Sequence, residues 1–163
     1  MSVAIELQKF TEVDFDDYCR LVGNEQVMAM ITERSIPREE ARHDFTQILA
    51  DNRLHPIYGY FKITDARTQA FIGLAKLVVH ADAPEQAETG YMLVPHYWGK
   101  GIGSTVAASI IRTARQHGLP KLYAIIDPAN TPSRKILVKQ GFIHHEFKDF
   151  DGLPGEILTL PLE

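Results

Sequence analysis

Cysteine is almost missing from this chain. Cys19 is the only one in 163 residues, which excludes an internal disulfide and a cysteine-only metal site and fits a reducing, cytoplasmic setting. Positive charge is also scarce. Lys and Arg total 17 against 21 Asp and Glu, for a net charge of −4, so no nucleic-acid partner is expected, because such surfaces are normally basic. No apolar run approaches the ~20 residues of a membrane span. The first residues, Met1 to Glu6, lack the basic start and apolar core of a secretory signal. No membrane partner is therefore expected. No repeat or low-complexity linker interrupts the chain. With 45% hydrophobic and 23% charged residues, the composition is that of a globular protein, and the length suits one domain over 1–163.

The most informative segment runs from His96 through Tyr97-Trp98-Gly99-Lys100-Gly101-Ile102-Gly103 to Ser104. It follows a strand-like run, Ala87 to Val94, and opens a helix-like one, Thr105 to Gln116. Glycines at alternate positions let the backbone turn tightly and approach a ligand with no Cβ in the way. The helix that follows leaves N–H groups unpaired and presents the positive end of its dipole, which suits a phosphate or pyrophosphate. The spacing excludes a Walker-type loop, because Gly101 stands where Ser or Thr would follow the Gly-Lys pair. It also departs from the dinucleotide fingerprint, whose third glycine is Ser104 here. An ordinary strand-to-helix turn is the plain alternative.

The rest of the chain alternates strands and helices. Ile5 to Phe10 alternates apolar and polar residues, as a strand does. Asp14 is expected to cap a helix carrying Tyr18, Leu21 and Val22, and Pro37 with Glu39 and Glu40 starts another. Ile57 to Thr64 and Phe71 to His80 read as a hairpin. Leu122 to Ile126 is a continuous apolar run suited to a strand covered on both faces. Asn130 or Thr131 caps a helix with Pro132 in its first turn, and Gly141 closes it. Phe142 to Phe150 and Glu156 to Leu162 are the last strands, joined by a loop from Asp151 to Gly155. The order β-α-α-β-β-β-α-β-α-β-β indicates a mixed sheet with helices on both faces.

The element order, the loop from Trp98 to Gly103, the Asn130-Thr131-Pro132-Ser133 helix start and the downstream Lys139-Gln140-Gly141-Phe142 together resemble the GNAT superfamily of acyl-CoA-dependent N-acetyltransferases. The resemblance covers almost the whole chain and is closest to the branch that acetylates ribosomal-protein N-termini and its many small-molecule-acetylating relatives. It implies an α/β (α+β) fold, a mixed, mostly antiparallel sheet of about seven strands flanked by helices. It also implies acetyl-CoA as acetyl donor, no metal, and a small-molecule or peptide amine as acceptor, in a monomer or homodimer. Carried over residue by residue, Gly99, Lys100, Gly101, Ile102, Gly103 and Ser104 cradle the pyrophosphate. The backbone of Met92, Leu93 and Val94 pairs with the pantetheine arm, and Asn130 and Ser133 contact the same arm.

Acetyl transfer from a thioester to an amine needs a polarised carbonyl, a base for the amine proton and a tolerable leaving thiolate. A backbone N–H near Leu93 suits the first. Glu88, in phase with Gly90 and Met92, is the candidate base; a solvated strand carboxylate is the plain alternative. Many relatives protonate the thiolate with a tyrosine where this chain has Leu137, so Ser133 is the candidate here, against a hydroxyl that only bonds the helix backbone. A non-catalytic acyl-CoA-binding or regulatory module on the same fold is the second reading.

Other residues have plainer expectations. His144 and His145 would lie on opposite faces of a strand and lack the convergence a metal needs. His80 ends a strand near the acceptor side. Trp98 is expected to pack beneath its loop. Arg134 and Lys135 either reach the cofactor's adenosine phosphates or are solvated. At least half of Met28, Met30 and Ile31 are expected to pack on the sheet rather than line a pocket.

Overall fold

The computed structural model describes residues 3–162; Met1, Ser2 and Glu163, the extremes of the domain expected over 1–163, lie outside the described residues. The chain runs β1 (Ile5–Lys9), α1 (Phe15–Val22), α2 (Glu25–Met28), α3 (Arg38–Asn52), β2 (Gly59–Asp65), β3 (Phe71–Val79), β4 (Gln86–Leu93), α4 (Ile102–Gln116), β5 (Lys121–Ile126), α5 (Thr131–Lys139), β6 (Ile143–Phe150) and β7 (Leu153–Pro161). The strands form one seven-stranded sheet in the order β1-β2-β3-β4-β5-β7-β6. Every pairing is antiparallel except that of β4 with β5, in line with the mixed, mostly antiparallel sheet expected.

Side-chain alternation along the strands builds two cores. Ala87 and Leu93 of β4 pack with Val106 and Ile110 of α4 and Leu137 of α5. Leu74 of β3, together with Met92, faces the other way, towards Leu21 of α1 and Phe45 of α3. Each layer of helices therefore covers one face of the sheet, as the apolar stripe of each helix requires.

The pairing of β4 with β5 positions the site. It spans only Gln86↔Lys121, Ala87↔Leu122 and Glu88↔Tyr123. Beyond Glu88, β4 continues to Leu93 against β3, while β5 continues to Ile126 against β7. Each strand keeps its outer partner and loses its inner one. The sheet therefore splits into a V that opens towards the glycine loop and the start of α5.

Several boundaries differ from the sequence expectation. Helix α4 starts at Ile102, not Thr105, because Gly101 takes the N-cap position in a left-handed conformation (φ 78°). Strand β7 starts at Leu153, not Glu156. Asp151 and Gly152, both at positive φ, make a two-residue hairpin turn that pairs Phe150 with Leu153, so the expected five-residue loop disappears. Asp14 does not cap α1 through its side chain. Its carboxylate instead accepts from the Thr11 amide at 2.8 Å and from Lys62 Nζ at 3.0 Å.

Candidate functional site

The glycine loop is built by two different constraints. Gly99 and Gly101 adopt φ values of 74° and 78°, and a Cβ at either would meet nothing within 4 Å. Backbone conformation, not crowding, demands glycine there. Gly103 lies inside the first turn of α4, where an added Cβ would come within 3.0 Å of both the Tyr91 hydroxyl and Ile136 Cδ1; close packing demands glycine at that position. The first bond of the helix runs from the Thr105 amide to the Gly101 carbonyl at 3.2 Å. The amides of Ile102, Gly103 and Ser104 are thus without helical partners at the positive end of the dipole. The Ile102 side chain is buried, so that residue can offer a ligand only its backbone. Lys100 is exposed.

Strand β4 leads into this loop with one edge free. The Val94 amide donates to the Ile72 carbonyl at 2.8 Å, and the Val94 carbonyl accepts from the Tyr97 amide at 2.9 Å. Both backbone groups of Val94 are engaged, which corrects the expectation that they pair with a pantetheine arm. Strand geometry sends alternate residues to opposite edges, so Met92, like Val94, directs its backbone towards β3. Its contribution to the site is its side chain, which lines the cavity described below. The amides of Leu93 and Tyr91 face the gap left by β5. The Leu93 carbonyl is taken by the indole Nε1 of Trp98 at 2.8 Å, which leaves the Leu93 N–H as its open group. Trp98 is 46% exposed. It clamps the loop onto the strand end from outside instead of packing beneath it as expected.

The start of α5 faces this edge from across the gap. Asn130 Oδ1 accepts from the Ser133 amide at 3.3 Å, capping the helix. With that oxygen committed, the Asn130 Nδ2 group is the part of the side chain open to a ligand. Ser133 lies against the Tyr91 phenol. Burial pushes that phenol above its ordinary value, and the Ser133 contact opposes the shift. Leu137 is buried in the gap wall. A small cavity of about 90 Å³ sits inside the V. A larger one of about 610 Å³ adjoins it, walled by Met30 and Ile31, Met92, the loop residues Trp98, Gly99 and Gly101 to Gly103, and Asn130 and Ser133. Of the early methionines and isoleucine, only Met28 is buried; Met30 and Ile31 line both cavities. This reverses the expectation that at least half would pack, because the chain leaves α2 directly over the V.

Glu88 lies where β4 and β5 part. Its carboxylate accepts from Lys76 Nζ at 2.7 Å and contacts His80 Nε2 at 3.2 Å. Burial alone would raise this carboxyl, but the Lys76 ammonium and His80 outweigh it and hold it below its ordinary value. Tyr123, its neighbour on β5, is pushed up to about 12 by burial and by the Glu88 and Asp82 charges. Glu88 is therefore an ionised, braced carboxylate, not the solvated strand residue that its position also allowed.

The remaining candidates have structural partners. Arg134 donates from Nε and Nη2 to Glu156 at 2.8 and 3.0 Å, and His144 Nδ1 contacts the same carboxylate at 2.8 Å. Arg134 is thus committed to Glu156 through Nε and Nη2, with its side chain still 41% exposed. Lys135 is exposed. His145 reaches only its neighbour Glu146, at 4.0 Å. Among the described residues no group of three or more His, Cys, Asp or Glu is placed to hold a metal, and no helix is long and apolar enough to cross a membrane. Sequence reasoning missed Tyr91 and Lys76. Tyr91 was legible from its phase with Leu93. The Lys76–Glu88 pair depends on strand register, which periodicity does not report.

Residues 4–143 match the family model described as an acetyltransferase (GNAT) domain. The chain is similar to the uncharacterized N-acetyltransferase p20 of Bacillus licheniformis, with 24% identity over 158 residues, 96% of this chain and 89% of that one. Among solved structures it is similar to RimL, a ribosomal L7/L12 α-N-protein acetyltransferase in complex with coenzyme A. The TM-score is 0.82 at 14% identity, covering 99% of this chain and 96% of that one. It is also similar to spermidine N-acetyltransferase from Vibrio cholerae in complex with CoA and spermine. There the TM-score is 0.80 at 18% identity, covering 96% and 95%. At such identities the likeness is one of fold. The neighbours act on unlike amines, so the expected closeness to the ribosomal-protein branch reduces to the superfamily as a whole.

Proposed function

The chain belongs to the GNAT acetyltransferase family, and on that premise we propose that it moves an acetyl group from acetyl-CoA to a primary amine by direct transfer, with donor and acceptor bound together. The observation that carries this reading is the continuity of the site. The glycine cradle, the free edge of β4 and the capped start of α5 all border one cavity of about 610 Å³. A cradle without Cβ atoms and with unpaired amides suits a pyrophosphate. A strand edge left unpaired by β5 suits an amide-bearing arm that lies along it as an added strand. Acetyl-CoA, when bound, supplies a thioester whose carbonyl carbon accepts the amine.

The residues of the chain then divide the work. The Tyr91 and Leu93 amides are the donors towards the thioester carbonyl oxygen, where negative charge develops. The amine nitrogen forms the new C–N bond as the C–S bond breaks. Ser133 gives its proton to the leaving sulfur as it takes one from the Tyr91 phenol, which regains its proton from water. Glu88 takes the proton lost by the amine. It stands two residues from Gly90 on the same face, roughly 7 Å along the strand, so the transfer runs through water. Its ion pair with Lys76 favours the ionised form, the one that can take a proton, while lowering its basicity.

A thiol-release assay with acetyl-CoA and a panel of amines tests the reading. Amine-dependent release is expected. Acetyl-CoA binding with no release for any amine would instead support a binding or regulatory module on this fold.

A further inference from the structure

The wall that faces the acceptor says what kind of amine the site takes. Resting on the acetyl-transfer reading, we infer that the acceptor is a small molecule bearing a single primary amine on an apolar or aromatic body, with no second charge.

The observations are independent of one another. Among the described residues, no side chain lining either cavity is charged. The donor occupies the side built by the glycine loop and α5, so the segment from Gln26 to Ile31, with Met92, bounds the space on the opposite face of the sheet. That wall is apolar apart from Gln26. At the mouth, large apolar side chains lie open: Met30 and Ile31 are each 41% exposed and Trp98 is 46% exposed. An apolar body covering them gains burial at about 25 cal/mol per Å². The carboxylate on this face nearest the reacting centre, Glu88, is already held by Lys76 and His80. A second ammonium entering the cavity would lose its water and find no free anion. An acidic group would lose its water as well and find no cation on the acceptor wall, because Lys76 is spent on Glu88 and Lys100 stands in the glycine loop on the donor's side. Arg34, on the segment that leaves the cavity wall, is likewise paired, with Glu40 at 2.6 Å.

The same wall serves the chemistry. An uncharged, apolar surround disfavours the ammonium form of the acceptor and so supplies the neutral amine that attack requires.

The test uses the purified full chain with acetyl-CoA and follows thiol release with 2-phenylethylamine, with spermidine and with a short peptide whose second residue is acidic. The kcat/KM for 2-phenylethylamine is expected to exceed that of either other amine by about tenfold or more. Equal use of the three, or preference for spermidine or the acidic peptide, overturns the inference and leaves acetyl transfer intact. No release with any of them overturns the transfer reading and this inference with it. Met30→Glu, at a half-exposed position that tolerates the change, places a charge on the wall. It is expected to raise KM for 2-phenylethylamine by about tenfold and to improve spermidine relative to it. If neither parameter moves, the wall does not select the acceptor.

Discussion

The Tyr91 phenol lies directly under Gly103: a Cβ added to that glycine would come within 3.0 Å of the hydroxyl oxygen and 3.1 Å of the ring carbon Cε2. Strand β4, the first turn of α4 and, through Ser133, the start of α5 thus meet at one point. Replacing Gly103 by Val should push Tyr91 and Ile136 apart and raise the Kd for acetyl-CoA by about tenfold or more. Isothermal titration checks this, and an unchanged Kd would remove the first turn of α4 from the site.

Gly101→Val acts by another route. Nothing crowds its Cβ, but its φ of 78° is one that a β-branched residue resists. The loop should rearrange, again weakening acetyl-CoA binding, while Tyr91 keeps its environment. Near-ultraviolet circular dichroism should therefore distinguish the two variants. A normal Kd for Gly101→Val would sink the cradle assignment.

Glu88→Gln should lower kcat by about a hundredfold with the acetyl-CoA Kd nearly intact. The pH dependence has a definite sign. Because Lys76 and His80 hold the Glu88 carboxyl below its ordinary value, the unprotonated base persists to pH values below the usual glutamate range. The acid limb of kcat/KM that this group causes should lie there. In Lys76→Met, burial loses its largest opponent and the limb should move to higher pH. A profile that does not move would remove Glu88 from the proton path.

Ser133→Ala and Tyr91→Phe should each lower kcat by about tenfold, and the double variant should cost less than the product of the two, since they act on one proton. Single-turnover rates with a good acceptor measure this. Full additivity would mean that the two side chains act separately.

Glu156 is 1% exposed and is held by Arg134 and His144, which ties α5 to β6 and β7. Glu156→Ala should lower Tm by roughly 5 °C. The hydrogen bond from Arg134 holds this carboxyl below its ordinary value, with burial opposing and His144 assisting. The stability it contributes is complete above the unfolded glutamate value and is lost as pH falls through the lower folded one. Wild type and variant should therefore converge in Tm in acid, as thermal melts across pH would show.

Much of the fold was legible because local rules act over a few residues. The alternation in β1, the β2–β3 hairpin, the Pro37 and Pro132 helix starts and the glycines of the loop are all seen in the structure. Tyr91, legible from its phase with Leu93, was missed, and the exposure of Met30 and Ile31 was not legible, because it depends on which distant element lies opposite. The Asp151-Gly152 hairpin was legible as an Asp-Gly pair and was read too long.

By itself, the sequence determined that a strand, a glycine loop and a helix N-terminus would stand in a row, because positive φ at Gly99 and Gly101 and unpaired amides at a helix start follow from local backbone sterics. It likewise narrowed the cap of the helix around Pro132 to Asn130 or Thr131, and the structure decided for Asn130. Only the tertiary structure decided that β4 and β5 part after Glu88, that Val94 is lost to β3 while Leu93 and Tyr91 turn to the gap, and that Lys76 braces the carboxylate where the sheet divides. Those outcomes rest on strand order and register, which are set by pairings between residues far apart in the chain and leave no local period to read.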